Sequence, residues 1–108
     1  MVPTLTHLQF KVLGLLLEGE ATPGREVREG LRGAGGRQTG PAFYQMMARL
    51  EDAGLVEGSY RRDVVDGQPI KERVYRLTPS GLRAWRETRD FYLEILRAVG
   101  PEEGLAGA

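Results

Sequence analysis

Apolar residues recur three and four positions apart from Leu5 to Leu17, which predicts a first helix with Thr6 and Gln9 placed as a capping box. On a helical wheel Leu5, Leu8, Val12, Leu15 and Leu16 share one side, and Phe10, Leu13 and Leu17 share another. Only His7, Lys11, Gly14 and Glu18 form a polar strip. A helix apolar on two sides must be covered on two sides. Its second side therefore implies a further helix or a second subunit.

A second, short helix is expected from Thr22, with Thr22 as its cap and Pro23 at its first position, and with Val27 and Leu31 as a thin apolar face. Glycine is dense from Gly30 to Gly40, through Gly33, Gly35 and Gly36. A phosphate-cradling loop needs a lysine-serine pair and a preceding strand, and both are missing here, so the stretch reads as a turn. Thr39 then caps a third helix with Pro41 in its first turn. Phe43, Met46, Met47 and Leu50 form its buried face; Ala42, Tyr44, Gln45, Ala48 and Arg49 form its outer one. Ala53-Gly54 ends it.

The period then changes. Leu55 to Arg62 reads as an extended segment, Asp66-Gly67 as a turn with Val64, Val65, Gln68, Pro69 and Ile70 in a loop around it, and Arg73 to Leu77 as the return strand. Thr78 and Pro79 open a long helix to Val99 that carries Leu82, Trp85, Tyr92, Leu96 and Val99, with Phe91 and Ile95 beside them. That stripe is too wide and too aromatic for water, and with Leu5, Leu8, Phe10, Val12, Leu13 and Leu17 of the first helix it predicts a dimer interface. The expected fold is mainly α with a small β-hairpin: a winged helix-turn-helix over 4–78, a C-terminal dimerisation helix over 79–99 and a flexible tail over 100–108.

Composition narrows this only slightly. A chain of 108 residues with 41% hydrophobic and 28% charged positions is one ordinary soluble domain rather than a disordered segment. The absence of cysteine excludes disulfides and thiolate chemistry. No apolar run is long enough to cross a bilayer, and the N-terminus lacks the pattern of a signal peptide, so a cytoplasmic protein is expected. Acid pairs such as Glu51-Asp52 are adjacent and diverge on a helix, and His7 has no partner at motif spacing. Neither an enzyme, nor a metal site, nor a cofactor is expected. Net charge is zero, which counts against nucleic-acid binding for the chain as a whole. Its distribution counts the other way: the 15 basic residues are arginines except for Lys11 and Lys71, and they gather at Arg25, Arg28, Arg32 and Arg37 and again at Arg61, Arg62, Lys71, Arg73 and Arg76.

The third helix and its exit, Phe43-Tyr44 followed by Arg49-Leu50-Glu51-Asp52-Ala53-Gly54-Leu55-Val56, resemble a run of the PadR-like transcriptional regulators. Gly67-Gln68-Pro69 and then Tyr75-Arg76-Leu77-Thr78-Pro79-Ser80-Gly81 resemble that family's wing and following helix start. Similar pieces occur in MarR-like winged helices, which have more helical sequence before the position of Thr4. The resemblance spans about Leu5 to Val99. It implies a homodimeric repressor of the small type, binding double-stranded DNA, with a cavity between subunits that admits a planar hydrophobic effector. The chain departs from the family at Pro23 to Val27, at Gln45, where proline is common, and in a wing whose basic cluster is diluted to Ile70-Lys71-Glu72-Arg73.

A helix in the major groove offers its N-terminal residues to base edges while flanking basic groups meet phosphates. Gln38, Thr39, Ala42 and Gln45 are the candidates for base contact, and Gln45 suits an adenine. Tyr44 matches the family tyrosine and reaches either a phosphate or the core. Arg49 binds phosphate or pairs with nearby acids. Arg61, Arg62, Lys71 and Arg73 are phosphate candidates on the wing, against the plainer reading of a solvated hairpin. Trp85 and Tyr92 are either interface core or the ligand site. The competing function is a winged helix that dimerises as an interaction module without binding DNA.

Overall fold

The computed structural model describes residues 4–33 and 38–100. Along them run α1 (His7–Leu15), β1 (Thr22–Pro23), α2 (Gly24–Gly30), α3 (Gly40–Asp52), β2 (Val56–Val65), β3 (Gln68–Leu77) and α4 (Pro79–Val99). The order matches the expected winged helix-turn-helix followed by a long helix. Arg37, Gly35, Gly36 and the tail beyond Gly100 lie outside the described residues.

Local chemistry sets most of the boundaries. The Thr6 hydroxyl accepts the Gln9 N–H at 3.1 Å while the Gln9 side chain accepts the Thr6 N–H at 3.0 Å, a reciprocal capping box at the start of α1. Thr39 and Thr78 cap α3 and α4 by the hydroxyl alone, which accepts the N–H groups of Ala42 and Gly81. The Thr78 hydroxyl also donates to the Gly54 carbonyl at 2.6 Å, which ties the start of α4 to the end of α3. Gly54 ends α3 with φ +76°, a left-handed conformation that glycine adopts without steric cost.

Two local expectations are corrected. Thr22 and Pro23 do not start the second helix. They pair with Tyr75 and Val74 as a short third strand, and α2 begins at Gly24 with no side-chain cap. The backbone of Thr22 is spent on the sheet, whose order is β1-β3-β2. The loop expected around Asp66-Gly67 is strand up to the turn itself: β2 and β3 pair over ten residues each, from Val56↔Leu77 to Val65↔Gln68. Asp66 and Gly67, at φ 52° and 78°, make a two-residue turn whose twist suits a continuous hairpin. Pro69 is tolerated because β1 pairs β3 only at Val74 and Tyr75, leaving the outer edge of β3 free beside it.

The core is built from Val12, Leu13 and Leu16 of α1, Val27 and Leu31 around α2, and Phe43, Met47 and Leu50 of α3, closed by Leu55, Val56 and Tyr75. Each such burial contributes about 1.5–3 kcal/mol before entropic costs. The second apolar side of α1 is covered within the chain at Phe10 and Leu13, while Leu17 stays exposed. The first half of α4 lies across it: Phe10 stacks on Trp85 at 5.7 Å and 18°, the Trp85 indole edge sits over Gly14, and Ala84 is buried. Leu5, Val12 and Leu13, expected at a dimer interface, are therefore core residues of the chain itself and have no surface left to offer a partner. Leu8 and Phe10 are half-buried against that core. Gly81 permits the docking of α4, since a Cβ there would collide with the Leu55 carbonyl.

Candidate nucleic-acid interface

Thr39, Ala42, Gln45 and Arg49 form an exposed strip on α3, with Gln38 half-buried just before it. The Thr39 oxygen accepts the Ala42 N–H at 3.2 Å, which leaves its hydrogen free to donate outward. Arg28 of α2 donates through Nε and Nη2 to the Gln38 carbonyl at 3.2 and 3.0 Å. That two-pronged contact pins the approach to α3 against α2. Tyr44 stands edge-on to Phe43 at 5.0 Å, with its hydroxyl end against Gly24; a Cβ at Gly24 would meet that oxygen at 3.0 Å. The ring is braced on its inner side while the residue stays 43% exposed. The requirement for glycine at position 24 carried no signal in the sequence, because its cause is a side chain twenty residues further along the chain.

On the wing the expected phosphate candidates separate into two groups. Alternate residues share a face, so Tyr60, Arg62 and Val64 stand with Arg73, Lys71 and Pro69 across the register. Arg61 and Glu72 face each other on the opposite side. Arg61 lies 3.4 Å from both Asp63 and Glu72, and Glu72 also receives Arg25 of α2 at 2.9 Å. Arg73 donates through Nη2 to both oxygens of Glu51 at 2.9 and 2.7 Å, with its guanidinium 4.8 Å from the Tyr60 ring centre. Arg61 and Arg73 were expected at phosphates; their charge is instead neutralised by carboxylates of the same chain. The Glu51 contact holds Arg73 protonated even more firmly than usual, and Glu72 does the same for Arg25. The Val64 N–H, donated to Asp63, holds that carboxyl below its ordinary range, whereas burial pushes the Tyr75 phenol up.

Arg62 and Lys71 behave differently. They are directly opposed, both exposed, and neither has a carboxylate within 4.0 Å among the described residues. Lys71 lies 4.7 Å from the Tyr60 ring centre. Like charges facing each other across strands are destabilising. Arg49 on α3 likewise has no ion pair among the described residues. Between α3 and the wing runs an open cleft of about 520 Å³ lined by Tyr44, Ala48, Glu51, Asp52, Tyr60, Arg73 and Tyr75.

Far from this surface the second half of α4 is bare. Phe91, Tyr92, Ile95, Leu96 and Val99 are all exposed, as is Leu17 near the end of α1, whereas Leu82 and Trp85 are half-buried against the chain. Tyr92 leans on Phe10 at 5.6 Å, and Arg89 lies 5.3 Å from the Trp85 ring, so the two ligand candidates belong to one aromatic cluster. Among the described residues no helix is long and apolar enough to cross a membrane.

No family model matches the chain, and no curated protein matches it. Solved structures do. A PadR family transcription regulator from Clostridium difficile R20291 is similar at a TM-score of 0.70 and 17% identity, over 83% of this chain and 91% of that one. A PadR family transcriptional regulator from Eggerthella lenta DSM 2243 is 28% identical at a TM-score of 0.58, over 82% and 77%. Bacillus subtilis PadR, solved in complex with operator DNA, is 22% identical at 0.60, over 79% of this chain and 47% of that one. The winged, PadR-like architecture is thus shared with these proteins, as the sequence motifs imply.

Proposed function

We propose that this PadR-like chain is a DNA-binding transcriptional regulator, a repressor that acts as a homodimer on a pseudo-palindromic operator. The observation that carries this reading is the pairing of a pinned, exposed α3 strip with an unneutralised like-charge pair, Arg62 and Lys71, on the adjoining wing. A fold tolerates opposed cations most readily when an anion completes them, and the phosphate backbone is such an anion. Gln38, Thr39, Ala42 and Gln45 read base edges in the major groove; Tyr44, Arg49, Arg62 and Lys71 hold phosphates. The exposed apolar half of α4 supports the dimer, which sets two α3 helices about 34 Å apart or a multiple of it. The Bacillus subtilis relative bound to operator DNA supports the same reading.

A planar hydrophobic effector between subunits at Trp85 and Tyr92 belongs to this reading. The aromatic cluster supports it, with the constraint that Phe10 already stacks on Trp85, so an entering ring must displace Phe10 or use the other groups. Tryptophan fluorescence titrated with dyes and phenolic acids tests it; no quenching by any of them removes the effector.

The interaction-module reading is favoured by a specific observation. Arg25, Arg61 and Arg73 are all neutralised in place, which leaves little net positive charge on the wing. A mobility shift at low salt with fragments of the adjacent promoter region separates the two. Salt-sensitive binding is expected, and its complete absence leaves the module.

A further inference from the structure

We propose that Glu51 and Arg73 form a strut that fixes the angle between α3 and the wing, which makes them positioning residues for operator discrimination rather than phosphate contacts. The functional half of this statement rests on the DNA-binding reading above; the geometric half does not.

Glu51 sits in the last turn of α3, where a negative charge opposes the helix dipole and gains nothing locally. Its carboxylate is satisfied across space by Arg73, twenty-two residues away, through both oxygens. The surroundings are shaped for this pair. A Cβ at Gly58 would collide with the Glu51 carboxylate and meet Arg73 Nη2 at 2.7 Å, so the strand leaves a side chain out where the pair crosses it. The Tyr60 and Tyr75 rings flank the guanidinium, at 4.8 and 5.9 Å from their centres. Both side chains are about three-quarters shielded, at 27% and 26% exposure, unlike the solvated pair of Arg32 with Glu29.

No other ion pair among the described residues joins α3 to the wing. Arg25 and Glu72 tie the opposite face of the hairpin to α2 instead. The strut therefore acts where it has leverage. Arg73 stands two residues after Lys71 on β3, closer to the base of the hairpin and on the same face as the Arg62–Lys71 pair. From Gly58 to the turn the hairpin reaches about 24 Å, at roughly 3.4 Å per residue. A tilt of about 10° at the base moves the tip by about 4 Å, more than a hydrogen bond tolerates. A wing without the strut still attracts phosphates, but it no longer holds one register relative to α3.

The test uses the absence of cysteine in the chain. Spin labels on Gln45→Cys and Val64→Cys, diluted with unlabelled protein, report the α3-to-wing distance without DNA. The strut predicts a narrow distribution that broadens in Glu51→Ala and in Arg73→Met and stays narrow in Glu51→Gln, whose amide oxygen still accepts from Arg73. In unlabelled protein, the ratio of operator to non-operator affinity is expected to fall roughly tenfold in the first two variants, with the salt dependence unchanged. An unaltered distance distribution in Glu51→Ala and Arg73→Met overturns the strut. So does a loss of about one unit of salt slope in Arg73→Met alone, which makes Arg73 a phosphate contact. Arg73→Lys replaces any variant that does not fold, and is expected to broaden the distance while keeping the slope. If the wild-type protein binds no DNA at low salt, the regulator reading fails while the distance measurement still decides the strut.

Discussion

The α3–wing junction and the outer half of α4 are opposites in how they settle their own forces. At the junction several charges are partnered within the chain: Arg73 with Glu51, Arg61 with Glu72 and Asp63, Arg25 with Glu72. On α4 beyond Asp90 Tyr92 leans on Phe10, but the rest of the apolar stripe is left open, with Phe91 at 59%, Leu96 at 66% and Val99 at 67% exposure. The contrast separates two kinds of association. Burial of α4 is an unspent hydrophobic term of several side chains, suited to a durable contact. The junction offers only the residual charges Arg49, Arg62 and Lys71, suited to a weaker, salt-sensitive contact whose selectivity depends on geometry.

The contrast breaks most visibly on α4. Ile95→Asp places a carboxylate in the bare stripe, twice in a symmetric dimer, and forfeits about 2 kcal/mol of burial per copy. A dimer dissociation constant weaker by on the order of 10³-fold is expected, read by sedimentation equilibrium; an unchanged mass at micromolar concentration removes the stripe from the interface. Next comes Gly81→Ala, which leaves the stripe intact but drives a methyl into the Leu55 carbonyl and lifts α4 from its seat. A cost of roughly 2–3 kcal/mol, or a melting temperature lower by about 10–20 °C, follows from such overpacking. A melt within a degree or two of wild type would show that the helix start shifts freely.

Thr78→Val is smaller. It removes the hydroxyl that accepts from Gly81 and donates to the Gly54 carbonyl, at about 1–2 kcal/mol in a urea titration, with the slope unchanged. Loss of less than about 0.3 kcal/mol would mean that water replaces both bonds. The smallest effect sharpens the junction side. Arg62→Ala and Lys71→Ala are each expected to weaken binding to every DNA sequence alike and to lower the salt slope by about one. Equal slopes in wild type and both variants take the wing face off the DNA.

Local signals carried the elements well. Thr6 with Gln9, Thr39, Asp66-Gly67 and Thr78-Pro79 each place an oxygen or a backbone preference next to the groups it serves, so the helix starts and the hairpin turn were legible residue by residue. The same holds for the apolar face of α3, where Phe43, Met47 and Leu50 are buried together. Thr22-Pro23 shows where such reading stops. A cap and a strand edge demand the same residues, and only the presence of Tyr75 and Val74 alongside decides for the strand.

Periodicity along α1 shows that two faces must be covered, but it cannot say by what. For the second face the answer is α4 of the same chain, which stacks Trp85 on Phe10 and leaves its own free apolar surface at Phe91 and beyond. Counting arginines on the wing had the same limit. Whether a guanidinium is available depends on carboxylates brought near it by folding, and Glu51 is twenty-two residues from Arg73 but 2.7 Å away in space. Propensities, caps and turns act over three or four residues, and the order of the chain states them directly. Coverage of a face and neutralisation of a charge act over ångströms, between residues that only the folded chain makes neighbours.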